Sequence, residues 1–227
     1  MGILKKALGE KHAKLKVIPL GSVEEALSVT TGFPYIDYNT GTICEDASGD
    51  EFLNLGLPMG KIMLFAGNSQ GGKTTLAQQI ADAMARQLDG DVINLDYERS
   101  GNNHELRYCK IKGCSKAEYA ERVSVYKHAG MSTEFLKQII FDIIEIKKKL
   151  LKKDMVEWMD TKGNTIYIYP PTFLIVDSIP SMKPQELLSD PDLDNNMVGG
   201  KMAASNSAIL KTIVNLLETF NITIFGI

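Results

Sequence analysis

Eight consecutive residues, Gly67-Asn68-Ser69-Gln70-Gly71-Gly72-Lys73-Thr74, place glycines, an ammonium and a hydroxyl in the spacing G-x-x-x-x-G-K-[ST]. Glycines let a loop wrap until its backbone N–H groups point inward at phosphate oxygens. A helix starting at the end of such a loop adds the positive end of its dipole to the same spot. Lys73 would reach the terminal phosphates of a nucleoside triphosphate, and the Thr74 hydroxyl would ligate Mg²⁺. A chance glycine-rich turn with a surface lysine has the same composition, so context decides. An apolar run over 62–66, bounded by Pro58 and Gly60, precedes the loop, and a helical run over 73–88 follows it. Strand, glycine turn and helix is the arrangement in which the motif has mechanical meaning.

Two further carboxylates fit the same chemistry. Thr172-Phe173-Leu174-Ile175-Val176-Asp177-Ser178 is an apolar strand ending in an acid, about a hundred residues after the glycine loop. A carboxylate at a strand tip beside a phosphate loop holds Mg²⁺, usually through a water. On Val92-Ile93-Asn94-Leu95-Asp96-Tyr97-Glu98, the final Glu98 is placed to orient a water attacking the γ-phosphate. Asp96 competes for that role, because strand alternation puts it on the same side as Glu98. A helix cap would account for either acid without chemistry.

The elements that must position these residues follow from periodicity. Residues 1–30 read as a short amphipathic helix over 2–14 and a connector, and 40–58, with Asp46, Ser48, Gly49 and Asp50, as loop. Strands are expected at 62–66, 92–96, 123–126, 172–177 and 222–227, with helices at 73–88, somewhere in 103–111, at 132–153 and at 200–220. In 132–153 the apolar positions Phe135, Ile139, Ile140, Ile143, Ile144 and Leu150 keep helical spacing. Residues 156–168 break the alternation as a β-hairpin on the turn Asp160-Thr161-Lys162-Gly163-Asn164, an insertion spanning 154–170. Repeated βα units imply an α/β fold, a mainly parallel sheet with helices on both faces and ligands at the carboxyl ends of its strands. The domain division expected is 1–30 as an N-terminal segment and 31–227 as the core. The run 222–227 stops inside what reads as a buried strand, whereas termini normally lie exposed, so the expectation is a C-terminally incomplete core.

Composition narrows the class. A 227-residue chain with 44% hydrophobic and 23% charged residues suits a soluble protein of one large α/β domain, or one domain with an appendage. No run nears the roughly 18 apolar residues of a membrane span, and the charged start, 1–16, does not read as a signal peptide. Cys44, Cys109 and Cys114 are odd in number, and only three histidines accompany them, so reduced thiols of a cytoplasmic protein are expected rather than disulfides or zinc. A net charge of −3 does not announce a nucleic-acid binder, although local basic patches still serve in an acidic chain.

The motifs together resemble the RecA recombinase family, its phage UvsX-type branch most of all. The resemblance rests on Val29-Thr30-Thr31-Gly32-Phe33-Pro34-Tyr35-Ile36-Asp37, then Gly56-Leu57-Pro58-Met59-Gly60-Lys61-Ile62, the glycine loop, the strand ending in Glu98, and Leu174-Ile175-Val176-Asp177-Ser178. It covers roughly 29–227, broken at 40–54 and 154–170. It implies a RecA-type P-loop NTPase core in which Gly67, Asn68, Ser69, Gln70, Gly71, Gly72, Lys73, Thr74 and Thr75 hold ATP. Thr74 and Asp177 then hold Mg²⁺, Lys73 and Glu98 are the catalytic pair, and Asn102, Arg107 or Tyr108 lies near the adenine, where the local pattern departs from the family's. It also implies a first DNA-binding loop over 182–200 and a helix over 201–220, with Lys183, Gly199, Gly200, Lys201 and Lys211 as DNA contacts. The loop's acids (Glu186, Asp190, Asp192 and Asp194) work against phosphate binding, and a solvated helix face explains the two helical lysines as readily.

The activity implied is a DNA-dependent ATPase, assembled head to tail as a homo-oligomeric filament on single-stranded DNA. It would pair that strand with double-stranded DNA in recombination and repair, in the cytoplasm of a phage-infected or bacterial cell. Residues 1–30 would supply part of the neighbour contact, and the family's polar switch residue and second DNA-binding loop follow the strand at 222–227. Two other readings use the same core: a ring-forming hexameric DNA helicase motor, and a non-catalytic nucleotide-binding regulator. Elsewhere, Lys147, Lys148, Lys149, Lys152 and Lys153 complement a helix C-terminus or contact DNA. Trp158, Tyr167 and Tyr169 stack on bases or a neighbouring subunit, or pack across their own hairpin.

Overall fold

A computed structural model describes residues 27–99, 115–127, 130–189 and 195–227. Helices expected over 2–14 and within 103–111 lie outside the described residues. The centre is a five-stranded parallel sheet built from β5 (Ile62–Leu64), β6 (Asp91–Asp96), β7 (Val123–Tyr126), β10 (Thr172–Asp177) and β11 (Ile222–Gly226). Their order is β5-β11-β10-β6-β7, and every pairing is parallel. Among the described residues the glycine-loop strand β5 is therefore an edge strand, and the Asp177 strand β10 is central, with β11 between the two. β10 registers Asp177 opposite Asp96 of β6.

All six residues of β10 are buried, as a strand covered on both faces requires. Its side chains alternate between two cores. Phe173 and Ile175 join Ile80, Ala81, Met84 and Phe225 beneath α2 (Lys73–Gln87), while Leu174 and Val176 join Leu136, Ile140, Ile213 and Leu217. The second core lies under α4 (Thr133–Lys147) and α6 (Asn195–Thr219). The result is an α/β sandwich of three layers, as the alternating pattern predicts. The remaining helices, α1 (Pro34–Thr40), α3 (Lys116–Arg122) and α5 (Gln185–Ser189), are short. Among the described residues no helix is long and apolar enough to cross a membrane.

Gly60, in the approach to the loop, has φ +72°, and a Cβ there would sit 2.7 Å from Glu218 Cα of α6. That close approach is the physical content of Gly56-Leu57-Pro58-Met59-Gly60: β5 cannot dock beside the end of α6 with a side chain at 60. β4 (Leu57–Pro58) meanwhile pairs antiparallel with β1 (Ser28–Val29).

Four boundaries differ from expectation. Residues 40–58 are not loop: β2 (Thr42–Glu45) and β3 (Glu51–Asn54) form an antiparallel hairpin. The turn residues there mark only its tip, where Asp46 Oδ1 accepts from the backbone N–H groups of Ser48 and Asp50. The helix expected over 132–153 starts on its Ser132 cap but ends at Lys147. Lys147 is buried, and its ammonium donates to the carbonyls of Pro170, Phe220 and Asn221 at 2.8, 2.7 and 3.1 Å. Tight turns and a 3₁₀ segment, Lys152–Asp154, follow it. The last helix begins at Asn195 rather than 200, so Gly199 and Gly200 are helical. Finally, α5 occupies part of the expected loop over 182–200.

The inserted hairpin is as expected, with β8 (Val156–Met159) against β9 (Thr165–Ile168) and Trp158 opposite Ile166. Its aromatics have local work. Trp158 packs on the α2-side core, Tyr167 lies 4.1 Å beneath Lys152 Nζ, and the Tyr169 ring is 5.3 Å from Phe220. Lys148 also sits over Phe220, so three of the five clustered lysines are held by this corner of the fold.

Candidate nucleotide-phosphate site

The three chemistry-bearing segments leave the same edge of the sheet, the carboxyl ends of β5, β6 and β10. The loop after β5 is exposed and turns through left-handed backbone at Gln70 (φ 61°) and Gly72 (φ 82°). Gly72 is the N-cap of α2, where a side chain would be strained, so the motif's last glycine is a conformational requirement. Lys73 Nζ donates to the carbonyls of Gly67 at 3.1 Å and Asn68 at 2.9 Å, which holds the ammonium across the loop's mouth. Thr74 and Thr75 follow in the first turn of α2.

Thr74 Oγ1 donates to Asp177 Oδ2 at 2.8 Å, a contact between residues 103 apart in the chain. Asp177 is 3% exposed at the tip of β10. A hydroxyl and a carboxylate this close fit a small hard cation that takes few protein oxygens and completes its shell with phosphates and water, as Mg²⁺ does. Among the described residues no group of three or more His, Cys, Asp or Glu is placed to hold a metal ion by itself.

Glu98 lies just past β6. The backbone N–H groups of Tyr97 and Glu98 both donate to Asp177 O, at 2.7 and 3.1 Å, so the acid-bearing ends of β6 and β10 are tied together. The Glu98 side chain is exposed, and its Oε1 accepts from Ser178 Oγ at 2.6 Å. Asp96, the competing acid, is 1% exposed, with Lys127 Nζ 4.0 Å away. Of the two, only Glu98 is open to a substrate water. The peptide joining Asp177 to Ser178 is cis.

Beside Glu98 is a cleft of about 580 Å³ lined by Tyr97, Arg99, Met131, Ser181, Lys183 and Leu188. Burial, with the Glu134 carboxylate adding to it, pushes the Tyr97 phenol above its ordinary range, and its hydroxyl meets Ser132 O at 3.0 Å. Thr133 N donates to Lys183 O, and Gln185 N to Glu134 Oε2. The start of α4 thereby clamps the segment that follows β10.

The DNA-contact candidates are more scattered. Lys183 is exposed at the cleft. Lys201 is 3.5 Å from Glu186 Oε1, which offsets part of its charge, and Lys211 is exposed further along α6. Ten helical positions separate the two by about 15 Å along the axis. Gly199 and Gly200 are exposed on the helix rather than in a flexible loop, so they do not offer the free loop backbone expected of them. Asn102, Arg107 and Tyr108, expected near the adenine, lie outside the described residues, as do Asp190, Asp192 and Asp194.

Sequence reasoning missed the hydroxyls of Ser178 and Ser181 beside Glu98. Ser178 had a visible sign, its place directly after the strand acid, but a serine there is equally a turn residue. No family model matches the chain, and no curated protein does.

Proposed function

We propose that the chain is the ATP-hydrolysing core of a RecA-type DNA recombinase, which assembles as a filament on single-stranded DNA and pairs it with a duplex. The observation that carries this reading is the 2.8 Å bond between Thr74 and Asp177, which joins the glycine loop to the tip of a central strand. An unrelated glycine-rich turn has no reason to meet a buried acid from a distant strand. The resemblance along 29–62, at the loop and at 172–178 takes the reading from nucleotide site to recombinase.

In this function the loop's N–H groups and the α2 N-terminus bind the phosphates, and Lys73 turns from the loop carbonyls to the terminal phosphates. Thr74 and Asp177 hold Mg²⁺, whose charge offsets that developing on the transferred phosphoryl group. Glu98 orients the attacking water and accepts its proton. Lys183, Lys201 and Lys211 serve as phosphate contacts for DNA, with affinity that falls as salt rises. A filament is the expected product of head-to-tail contacts that do not close on themselves.

Electron microscopy of the protein on long single-stranded DNA tests the assembly. Regular filaments with ATP and Mg²⁺, lost in Lys73→Ala, are the expected result. Closed rings would contradict it and favour the helicase motor; no ATP-dependent assembly on DNA would contradict it outright.

A further inference from the structure

Ser178 is nearly sealed from solvent, 6% exposed, yet it touches the exposed acid of the site. Its Oγ donates to Glu98 Oε1 at 2.6 Å and lies 3.0 Å from Ser181 Oγ. A serine hydroxyl has one proton. With that proton on Glu98, the second bond is donated by Ser181, and the two hydroxyls form a directed relay ending on the carboxylate. An O–H···O⁻ bond of this length is in the charge-assisted class.

The relay is anchored from behind. Ile179 N donates to Ile227 O at 2.9 Å, and Ser181 N to Ser178 O at 3.0 Å. Asn206 of α6, itself buried, donates through Nδ2 to Ile179 O at 3.3 Å and accepts from Thr133 Oγ1 at 2.9 Å. Glu98, by contrast, is a long side chain at an exposed strand end, where several rotamers are open to it.

We propose that Ser178 is a positioning residue, which fixes the Glu98 carboxylate by one oxygen so that the other faces the water it orients, with Ser181 supporting it. This rests on Glu98 acting in ATP hydrolysis. Positioning of this kind acts on the chemical step and leaves nucleotide binding alone, because the Ser178 hydroxyl bonds to Glu98 and Ser181 rather than to the loop or Lys73.

The test is steady-state ATP hydrolysis with single-stranded DNA by the wild type, Ser178→Ala, Glu98→Gln and the double variant. Ser178→Ala lowers kcat about tenfold with KM for ATP held within about twofold, and Ser178→Thr, which keeps the hydroxyl, restores most of the rate. On the Glu98→Gln background Ser178→Ala has no further effect, because the group it acts through is gone. If Ser178→Ala does not fold, Ser181→Ala is read instead, with the same signature and a smaller loss. A Ser178→Ala rate equal to wild type, or an equal loss with and without the Glu98 carboxylate, overturns the positioning role while the ATPase reading stands. A wild type that hydrolyses no ATP overturns the ATPase reading itself.

Discussion

Thr74 and Asp177 meet because two independent constraints converge. The glycine loop can start α2 only through left-handed backbone at Gly72, which sets Thr74 in the first helical turn. Asp177 is at the buried tip of a strand whose other residues are all apolar apart from Thr172. An amide in place of Asp177 can still accept from the Thr74 hydroxyl, so Asp177→Asn keeps the local geometry and removes the charge. It should weaken Mg²⁺-dependent ATP binding by about 10- to 100-fold and leave metal-free nucleotide binding unchanged. Titrating a fluorescent ATP analogue with and without Mg²⁺ separates the two. An equal loss in both would mean that Asp177 supports the loop rather than the metal. At this scale the sequence is informative about which residues meet, since the glycine loop and Asp177, picked out by type and spacing, are joined by the Thr74–Asp177 bond. It does not announce the Ser178–Glu98 bond, because a hydroxyl's partner is set by the approach of two strand ends distant in sequence.

At the scale of elements, the strands are the most legible part, because β6, β7 and β10 each carry continuous or alternating apolar side chains with clear limits. Helix ends and hairpins are less so. The hairpin β2–β3 hides behind Asp46, Ser48, Gly49 and Asp50, whose turn chemistry masks the two short strands they join. The end of α4 is hidden for another reason. The run of lysines from 147 reads as complementing a helix C-terminus or contacting DNA, yet Lys147 turns inward and serves as a cap for three carbonyls from two other segments. Burial pushes its ammonium down to about 7, with the Asp91 carboxylate opposing that shift. The unfolded chain keeps this proton up to the ordinary lysine range, so between about pH 7 and pH 10 the unfolded state binds more protons and stability rises with pH. The slope this adds is at most about 1.4 kcal/mol per pH unit. Urea unfolding of the wild type and Lys147→Met across that window should show a steeper rise for the wild type, with Lys147→Met less stable throughout. Parallel pH profiles would contradict the assignment.

For the whole molecule, the sheet separates functions by its two ends. The glycine loop, Asp177, Glu98 and Ser178 share the carboxyl end, whereas the β8–β9 hairpin enters β10 from the amino end and packs on the α2-side core through Trp158. The parallel three-layer plan was legible from the alternation of apolar runs, but the strand order was not: nothing in the local sequence says that β11 inserts between β5 and β10. That insertion places β11 between the two strands that carry the loop and the acid. The account's central claim is that this carboxyl end hydrolyses ATP with Glu98 as its base. Turnover of ATP on single-stranded DNA by wild type and Glu98→Gln, with nucleotide affinity measured alongside, tests it most directly. The account predicts wild-type hydrolysis and an unchanged affinity in Glu98→Gln with turnover about 10²- to 10⁴-fold lower; Glu98→Gln turning over at the wild-type rate, or a wild type that binds ATP without hydrolysing it, would contradict it.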